Sequence, residues 1–361
     1  MFRSERPIDS PWELEVGGWE LTSLLEKLLR REDLSVGEAS AAMDEIMEGR
    51  IPPTQIAGLL VALAMKGERP EEIVGFARSM RSRATKLSRE YSPVFDTCGT
   101  GGDRAHTFNV STVAALVLAA CGVRVAKHGN RSVSSRCGSA DLFEALGVNV
   151  AAEPPIVERC LEEAGIAFFF APTFHPSMRH AGPTRRELGL RTAFNLLGPL
   201  TNPAGARRQL VGVPRPELTE LVARSLALLG TERAWVVHGA DGLDEISTGG
   251  YTKISECRDG QVNTFYLHPT DVGLTKSPPD ALRGGSAEDN AAIARSVLAG
   301  EPGPQRDVVL LNAAAALLIA GTVTRIQDGL TRAAEVIDNG RAAAVLEDLC
   351  RLSTSSEATP A

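Results

Sequence analysis

The chain has 361 residues, 43% of them hydrophobic and 23% charged, with a formal net charge of −7. That size suits a large α/β domain with a smaller companion, and the acidic balance argues against general nucleic-acid or anionic-membrane binding. The six cysteines form no CxxC pair and suggest neither a zinc site nor a disulfide framework, so the expected compartment is the reducing cytoplasm.

Residues 1–17 read as a ragged leader without the apolar core of a secretory signal. Four helices are predicted next, over 19–31, 35–48, 53–65 and 70–84, from apolar residues at three- and four-residue spacing. Ser35 with Glu38 makes a capping-box pattern, and Pro53 and Pro70 suit first-turn positions. The apolar runs 56–65 and 308–320 are shorter than the roughly 20 residues a membrane span needs, and Asn312 interrupts the second.

From Val94 the pattern changes. Short β-like runs (94–97, 123–126, 167–170, 209–213, 234–238) alternate with helical ones (109–120, 140–146, 156–164, 217–229). The expected fold class is α/β: a small helical N-terminal domain, 18–88, and a larger α/β domain, 92–352, with a mostly parallel central sheet. A basic helical piece and a turn-rich stretch at 175–202 break the rhythm, and 178–202 is expected to complete the helical domain. Residues 251–268 suggest an antiparallel extension turning at Asp259-Gly260. The remainder is mostly helical, and 353–361 reads as a flexible tail.

Two loops stand out. Gly99-Thr100-Gly101-Gly102-Asp103 follows the first strand, where glycines let backbone N–H groups approach an anion and adopt positive φ. Asn109, Ser111 and Thr112 lie at the start of the next helix, placed to cap it or to hold a phosphate. A tight turn with an ordinary cap would look the same. One βα unit later, Lys127–Ser139 (KHGNRSVSSRCGS) packs one lysine, two arginines, an asparagine and four serines into one loop, a density of donors suited to an oxygen-rich anion. Asp244-Glu245, at the end of a predicted strand, is placed for magnesium or is a plain acidic turn.

Taken together, DTCGTGGD, NVST, KHGNRSVSS, GSADLFEALGV, HPSMRHAGPTRRELGLRTAFNLLGPLTNPA and HGADGLDEIS resemble the signature segments of the anthranilate phosphoribosyltransferase family, over about residues 20–350. The resemblance implies a nucleoside phosphorylase type II fold with its site between the two domains. It implies a 5-phosphoribosyl 1-pyrophosphate site made of Gly99, Gly102, Asp103, Thr107, Asn109, Val110, Ser111, Thr112, Lys127, His128, Gly129, Asn130, Arg131, Ser132, Val133, Ser134, Ser135 and Ser139. Gly99, Asn130 and Arg185 would receive anthranilate, and Ser111, Asp244 and Glu245 would bind Mg²⁺. It further implies transfer of the phosphoribosyl group to the anthranilate amine in tryptophan biosynthesis, by a cytoplasmic homodimer that acts on small molecules, with no nucleic-acid or membrane partner. No residue is firmly assigned as catalytic; His128 and His175 read as wall residues before they read as bases. Arg104 and His106 depart from the family pattern. The competing readings are a pyrimidine nucleoside phosphorylase and a nucleic-acid-binding homologue of the same fold.

Overall fold

The computed structural model describes residues 19–103, 105–132 and 136–355. The expectations for 1–17, Arg104, Val133, Ser134 and Ser135 lie outside the described residues.

Four helices come first: α1 (Trp19–Leu29), α2 (Val36–Met47), α3 (Pro53–Lys66) and α4 (Pro70–Arg83). The Ser35–Glu38 capping box forms, with Glu38 N–H donating to the Ser35 hydroxyl at 3.2 Å and Ser35 N–H donating to the Glu38 carboxylate at 2.7 Å. Helices α2 and α4 cross in close contact at Gly75, where a Cβ would stand 2.5 Å from the Val36 carbonyl oxygen. The buried Glu72 carboxylate ties this crossing together. It accepts Leu34 N–H at 2.9 Å, Arg69 N–H at 2.8 Å and the Lys66 ammonium at 3.1 Å.

The α/β part then follows as β1 (Phe95–Gly99), α5 (Val110–Ala120), β2 (Val125–Gly129), α6 (Ser139–Leu146), α7 (Pro154–Glu163) and β3 (Ile166–Phe170). Three short helices, α8 (Ala171–Phe174), α9 (Gly182–Leu188) and α10 (Phe194–Leu197), carry the interrupting segment. After them come β4 (Arg208–Gly212), α11 (Leu218–Leu228), β5 (Arg233–Gly239), β6 (Thr252–Arg258) and β7 (Gln261–Leu267). Helices α12 (Ala287–Leu298), α13 (Pro304–Ala320), α14 (Ile326–Asp338) and α15 (Arg341–Thr354) close the described chain.

The seven strands form one sheet in the order β3-β2-β1-β4-β5-β6-β7, parallel from β3 to β5 and antiparallel beyond. Asp259-Gly260 turns the last hairpin with both residues at positive φ, the conformation a two-residue hairpin loop favours. Helix α5 is the central element of one face: every residue but Ser111 is buried. On the other face, α1–α4, α11 and residues between Ala181 and Leu200 share a core with one side of β4 and β5.

Two expectations need correction. The first two strands end later than the sequence pattern suggested, because glycine reads as a strand terminator although the β1–β4 and β2–β3 ladders continue through Gly99 and Gly129. Of the flexible tail expected over 353–361, residues 356–361 lie outside the described residues and Ser353 and Thr354 belong to a helix. Ser353 is buried in α15, and its hydroxyl accepts Asn149 N–H at 3.0 Å.

Candidate active site

Four strands end on a glycine: Gly99 of β1, Gly129 of β2, Gly212 of β4 and Gly239 of β5. In this strand order the chain winds outward in both directions from β1 and β4. The crevice beyond their carboxyl ends is the topological switch point where open α/β sheets bind ligands. The glycines at Gly99 and Gly212 have a packing reason. A Cβ on Gly99 would stand 2.8 Å from Asp244 Oδ2, and one on Gly212 would collide with the Asp244 carbonyl oxygen.

The first loop folds around that carboxylate. Gly101 and Gly102 adopt φ of 63° and 83°, as the glycine pattern predicted. Thr100 N–H donates to the Gly212 carbonyl at 2.9 Å, while the Gly101 N–H and the Asp103 side chain both reach Asp244. Glu245 accepts the N–H of Ser111, in the first turn of α5, at 3.0 Å. Burial, and then the charge of Asp103, push Asp244 up to about 7; burial, and then the charge of Asp244, push Glu245 up to about 8. Asn312 fixes the chain beside them. Its side chain accepts Ile246 N–H at 3.0 Å and donates to the Ile246 carbonyl at 2.9 Å. The interruption in the apolar run of α13 is therefore a buried clamp on the acidic pair.

These residues suit a hard divalent cation. The groups that converge are oxygen donors, and burial disfavours the negative charge of Asp244 and Glu245, with Lys127 acting on Glu245 and Arg191 on Asp244 from the other side. No three described His, Cys, Asp or Glu residues form a complete ligand set by themselves.

Lys127 is buried under this centre instead of reaching into the cleft. Its ammonium donates to the Thr97 carbonyl and lies 3.4 Å from the Ser111 hydroxyl. Burial lowers its pKa, while Asp96 and Glu245 act the other way. In the second loop, Asp141 draws the two ends together by accepting Ser132 N–H at 3.1 Å and Gly138 N–H at 2.8 Å. The Asn130 side-chain oxygen accepts Arg131 N–H at 2.8 Å, and the Ser139 hydroxyl lies 3.4 Å from the Asn130 carbonyl. The Arg131 guanidinium is engaged with Glu144 and Asp141 on α6.

The remaining expected residues are arranged around these loops. Thr107 makes a β-bridge with Arg283. Asn109 does not cap α5: its side chain donates to the Cys137 carbonyl at 3.1 Å and accepts from Asn290 at 3.0 Å. Val110 is core, and the Thr112 hydroxyl is buried without a partner. Arg185 projects from α9 with its guanidinium over the Phe194 ring at 5.0 Å, and burial lowers its pKa.

His128 and His175 face each other with ring centroids 5.2 Å apart. His128 Nδ1 lies 3.0 Å from the Gly198 carbonyl and His175 Nε2 lies 3.0 Å from the Thr201 carbonyl. A carbonyl only accepts, so those nitrogens carry the protons. Burial, and then the charge of His175, hold His128 down to about 3; burial holds His175 down to about 4. Both are neutral wall residues. Behind them Asp96, pushed up to about 6 by burial, accepts His128 N–H at 3.2 Å and Asn202 Nδ2–H at 2.8 Å. Asp96, Asn202 and Asn312 were missed as site-shaping residues, since Asp96 and Asn202 looked like ordinary strand and turn residues and Asn312 like a mere break in an apolar run.

Residues 22–84 match the family described as "Glycosyl transferase family, helical bundle domain", and residues 91–343 match "Glycosyl transferase family, a/b domain". The chain is 57% identical over 327 residues to the anthranilate phosphoribosyltransferase of Moorella thermoacetica, covering 91% of this chain and 96% of that one. The enzyme of the same name from Symbiobacterium thermophilum is 54% identical, with the same coverage. Among solved structures, anthranilate phosphoribosyltransferase from Thermus thermophilus matches with a TM-score of 0.86 and 46% identity, over 92% of this chain and 99% of that one. The Saccharomyces cerevisiae enzyme in complex with PRPP and Mg matches with a TM-score of 0.85 and 28% identity, over 93% and 98%. The chain belongs to the anthranilate phosphoribosyltransferase family.

Proposed function

We propose that this chain transfers the phosphoribosyl group of 5-phosphoribosyl 1-pyrophosphate to the amine of anthranilate, giving N-(5-phosphoribosyl)anthranilate and pyrophosphate. The carrying observation is the meeting of the first glycine loop, the start of α5, Lys127 and the buried Asp244–Glu245 pair at the carboxyl ends of β1, β2, β4 and β5. Relatives at 50–57% identity carry the transferase name, which favours this reading over pyrimidine phosphorolysis or nucleic-acid binding. We take 18–88 with 178–202 as the smaller unit and 92–352 as the larger.

In this assignment the first loop and the start of α5 receive the pyrophosphate, and the Lys127–Ser139 loop surrounds the sugar phosphate. Lys127, Arg131 and Asn109 act chiefly by shape and charge, because each side chain already has protein partners. Asp244, Glu245 and Ser111 would hold Mg²⁺. The ion would neutralise charge on the departing pyrophosphate. Arg185 offers a forked donor to the anthranilate carboxylate, while Asn130, Gly99 and the His128 wall confine the ring. The C1′–O bond breaks with its electron pair going to pyrophosphate, the amine forms the C1′–N bond, and one amine proton is lost to solvent. The aromatic amine is unprotonated at neutral pH, so positioning and electrostatics suffice without a strong base. The neutral state of His128 and His175 fits that division of labour. We place the protein in the cytoplasm, in line with its free cysteines, as a homodimer.

Loss of anthranilate fluorescence on mixing purified protein, both substrates and Mg²⁺ tests the reaction, with a chelator expected to abolish it. Folded protein that gives no turnover across a magnesium titration would overturn the proposal.

A further inference from the structure

Arg191 lies in the short link between α9 and α10. The link is fixed at both ends. Gly189 closes α9 in the left-handed conformation with its N–H on the Arg185 carbonyl, and Thr192 N–H is held by the Asn195 side chain at 2.9 Å. From there the Arg191 side chain reaches across to the first glycine loop. It donates to the Thr100 carbonyl at 3.1 Å, and its guanidinium rests so closely over Gly102 that a Cβ at that position would collide with Nη1. Asp244 and Asp103 both act on its charge. Arg185 and Arg191 thus come from one segment but point at different partners: Arg185 at Phe194, Arg191 at the glycine loop beside the carboxylates.

We propose that Arg191 is a specificity-determining residue for the pyrophosphate end of the donor substrate. It delivers a forked cation from the α9–α10 link onto the loop that receives the leaving group. The assignment rests on the proposed reaction. A guanidinium keeps its proton throughout and accepts no electrons, so its part is to meet the negative charge that accumulates on pyrophosphate as the C1′–O bond breaks. Only one of its five N–H donors is committed to Thr100, and the side chain is exposed to the cleft. Gly102 follows from the same geometry: its position must lack a side chain for the guanidinium to lie flat on the loop.

The test uses full-length parent, Arg191→Gln and Arg191→Lys. Binding of inorganic pyrophosphate with Mg²⁺ is read by calorimetry, and both KM values by anthranilate fluorescence. Loss of one charge-assisted hydrogen-bonding group predicts that Arg191→Gln weakens pyrophosphate binding by about tenfold or more. The KM for 5-phosphoribosyl 1-pyrophosphate should rise in parallel while that for anthranilate stays within about twofold. Arg191→Lys, which keeps the charge but not the fork, should fall between. Unchanged pyrophosphate affinity in Arg191→Gln overturns the assignment. So does a rise of both KM values together with a lowered thermal midpoint, the mark of a merely structural latch. Arg191-dependent pyrophosphate binding in a parent that does not consume anthranilate would support Arg191 and count against the proposed reaction.

Discussion

At the scale of single residues the site is built from groups whose ordinary properties are altered by burial. Arg185 is half-buried against Phe194, so its fork is fixed before any carboxylate arrives. Arg185→Ala should raise the anthranilate KM by about ten- to a hundredfold and move the other KM far less; an equal effect on both would contradict its role. The histidines give a pH signature. His128 and His175 sit near 3 and 4 in the fold against 6.5 for a free imidazole. As pH falls, the unfolded chain takes up protons first, so the stability of the neutral pair is complete above about 6.5 and drains as pH drops towards about 4. His175→Gln removes part of that drain. The gap in thermal midpoint between parent and variant should therefore be widest near neutrality and close as the pH is lowered through that window. A gap independent of pH would refute the assignment of buried, neutral imidazoles. Groups that lie in a contiguous run could be singled out from the sequence as candidates, as with Gly99–Asp103, Ser111 and Asp244-Glu245, and the fold brings these three together. Those that act through distant partners could not be. Asp96 meets Asn202 from 106 residues away, and Asn312 meets Ile246 from 66. No local spacing encodes such pairs.

At the scale of elements, periodicity carried most of the fold. The four N-terminal helices, the alternation that follows and the terminal hairpin were all readable, because each buries one face at its own period. Strand ends were not readable, since Gly99 and Gly129 signal a turn in isolation, while the β1–β4 and β2–β3 ladders run on through them. Helix α13 teaches the same lesson in reverse. Its apolar run looks continuous except for Asn312, and that single polar residue fixes the acidic pair. Close helix contact was equally hidden. Gly75 in α4 looks like a weak helix former, yet a Cβ there would meet the Val36 carbonyl at 2.5 Å and the Ala39 Cβ at 2.6 Å. Gly75→Ala must therefore push α2 away from α4. The cost should be about 1–3 kcal/mol despite the better helix propensity of alanine. Urea unfolding should show a lower midpoint at unchanged slope. An unchanged or higher midpoint would mean that the crossing yields without cost.

At the scale of the whole molecule, the division of labour follows from topology. The larger unit presents both glycine-containing loops and the carboxylates at the carboxyl ends of its strands, and the segment between α8 and β4 brings Arg191 onto the first of those loops. Every residue assigned to the site lies in this one chain. The helical unit nevertheless exposes Leu29 at 78% and Met65 at 74% on two helices, α1 and α3, that pack against each other. Large apolar side chains left that open on neighbouring helices suit a surface covered by a second copy. Leu29→Glu combined with Met65→Glu should place two carboxylates in that contact, where their desolvation is costly. In sedimentation the parent should run at twice the chain mass of 38.3 kDa and the double variant at that mass. Turnover per chain should stay within about twofold of the parent, because neither residue is among those assigned to the cleft. A parent that sediments as a monomer would remove the homodimer. A monomeric variant that has lost turnover while keeping its thermal midpoint would show that the cleft depends on the partner after all.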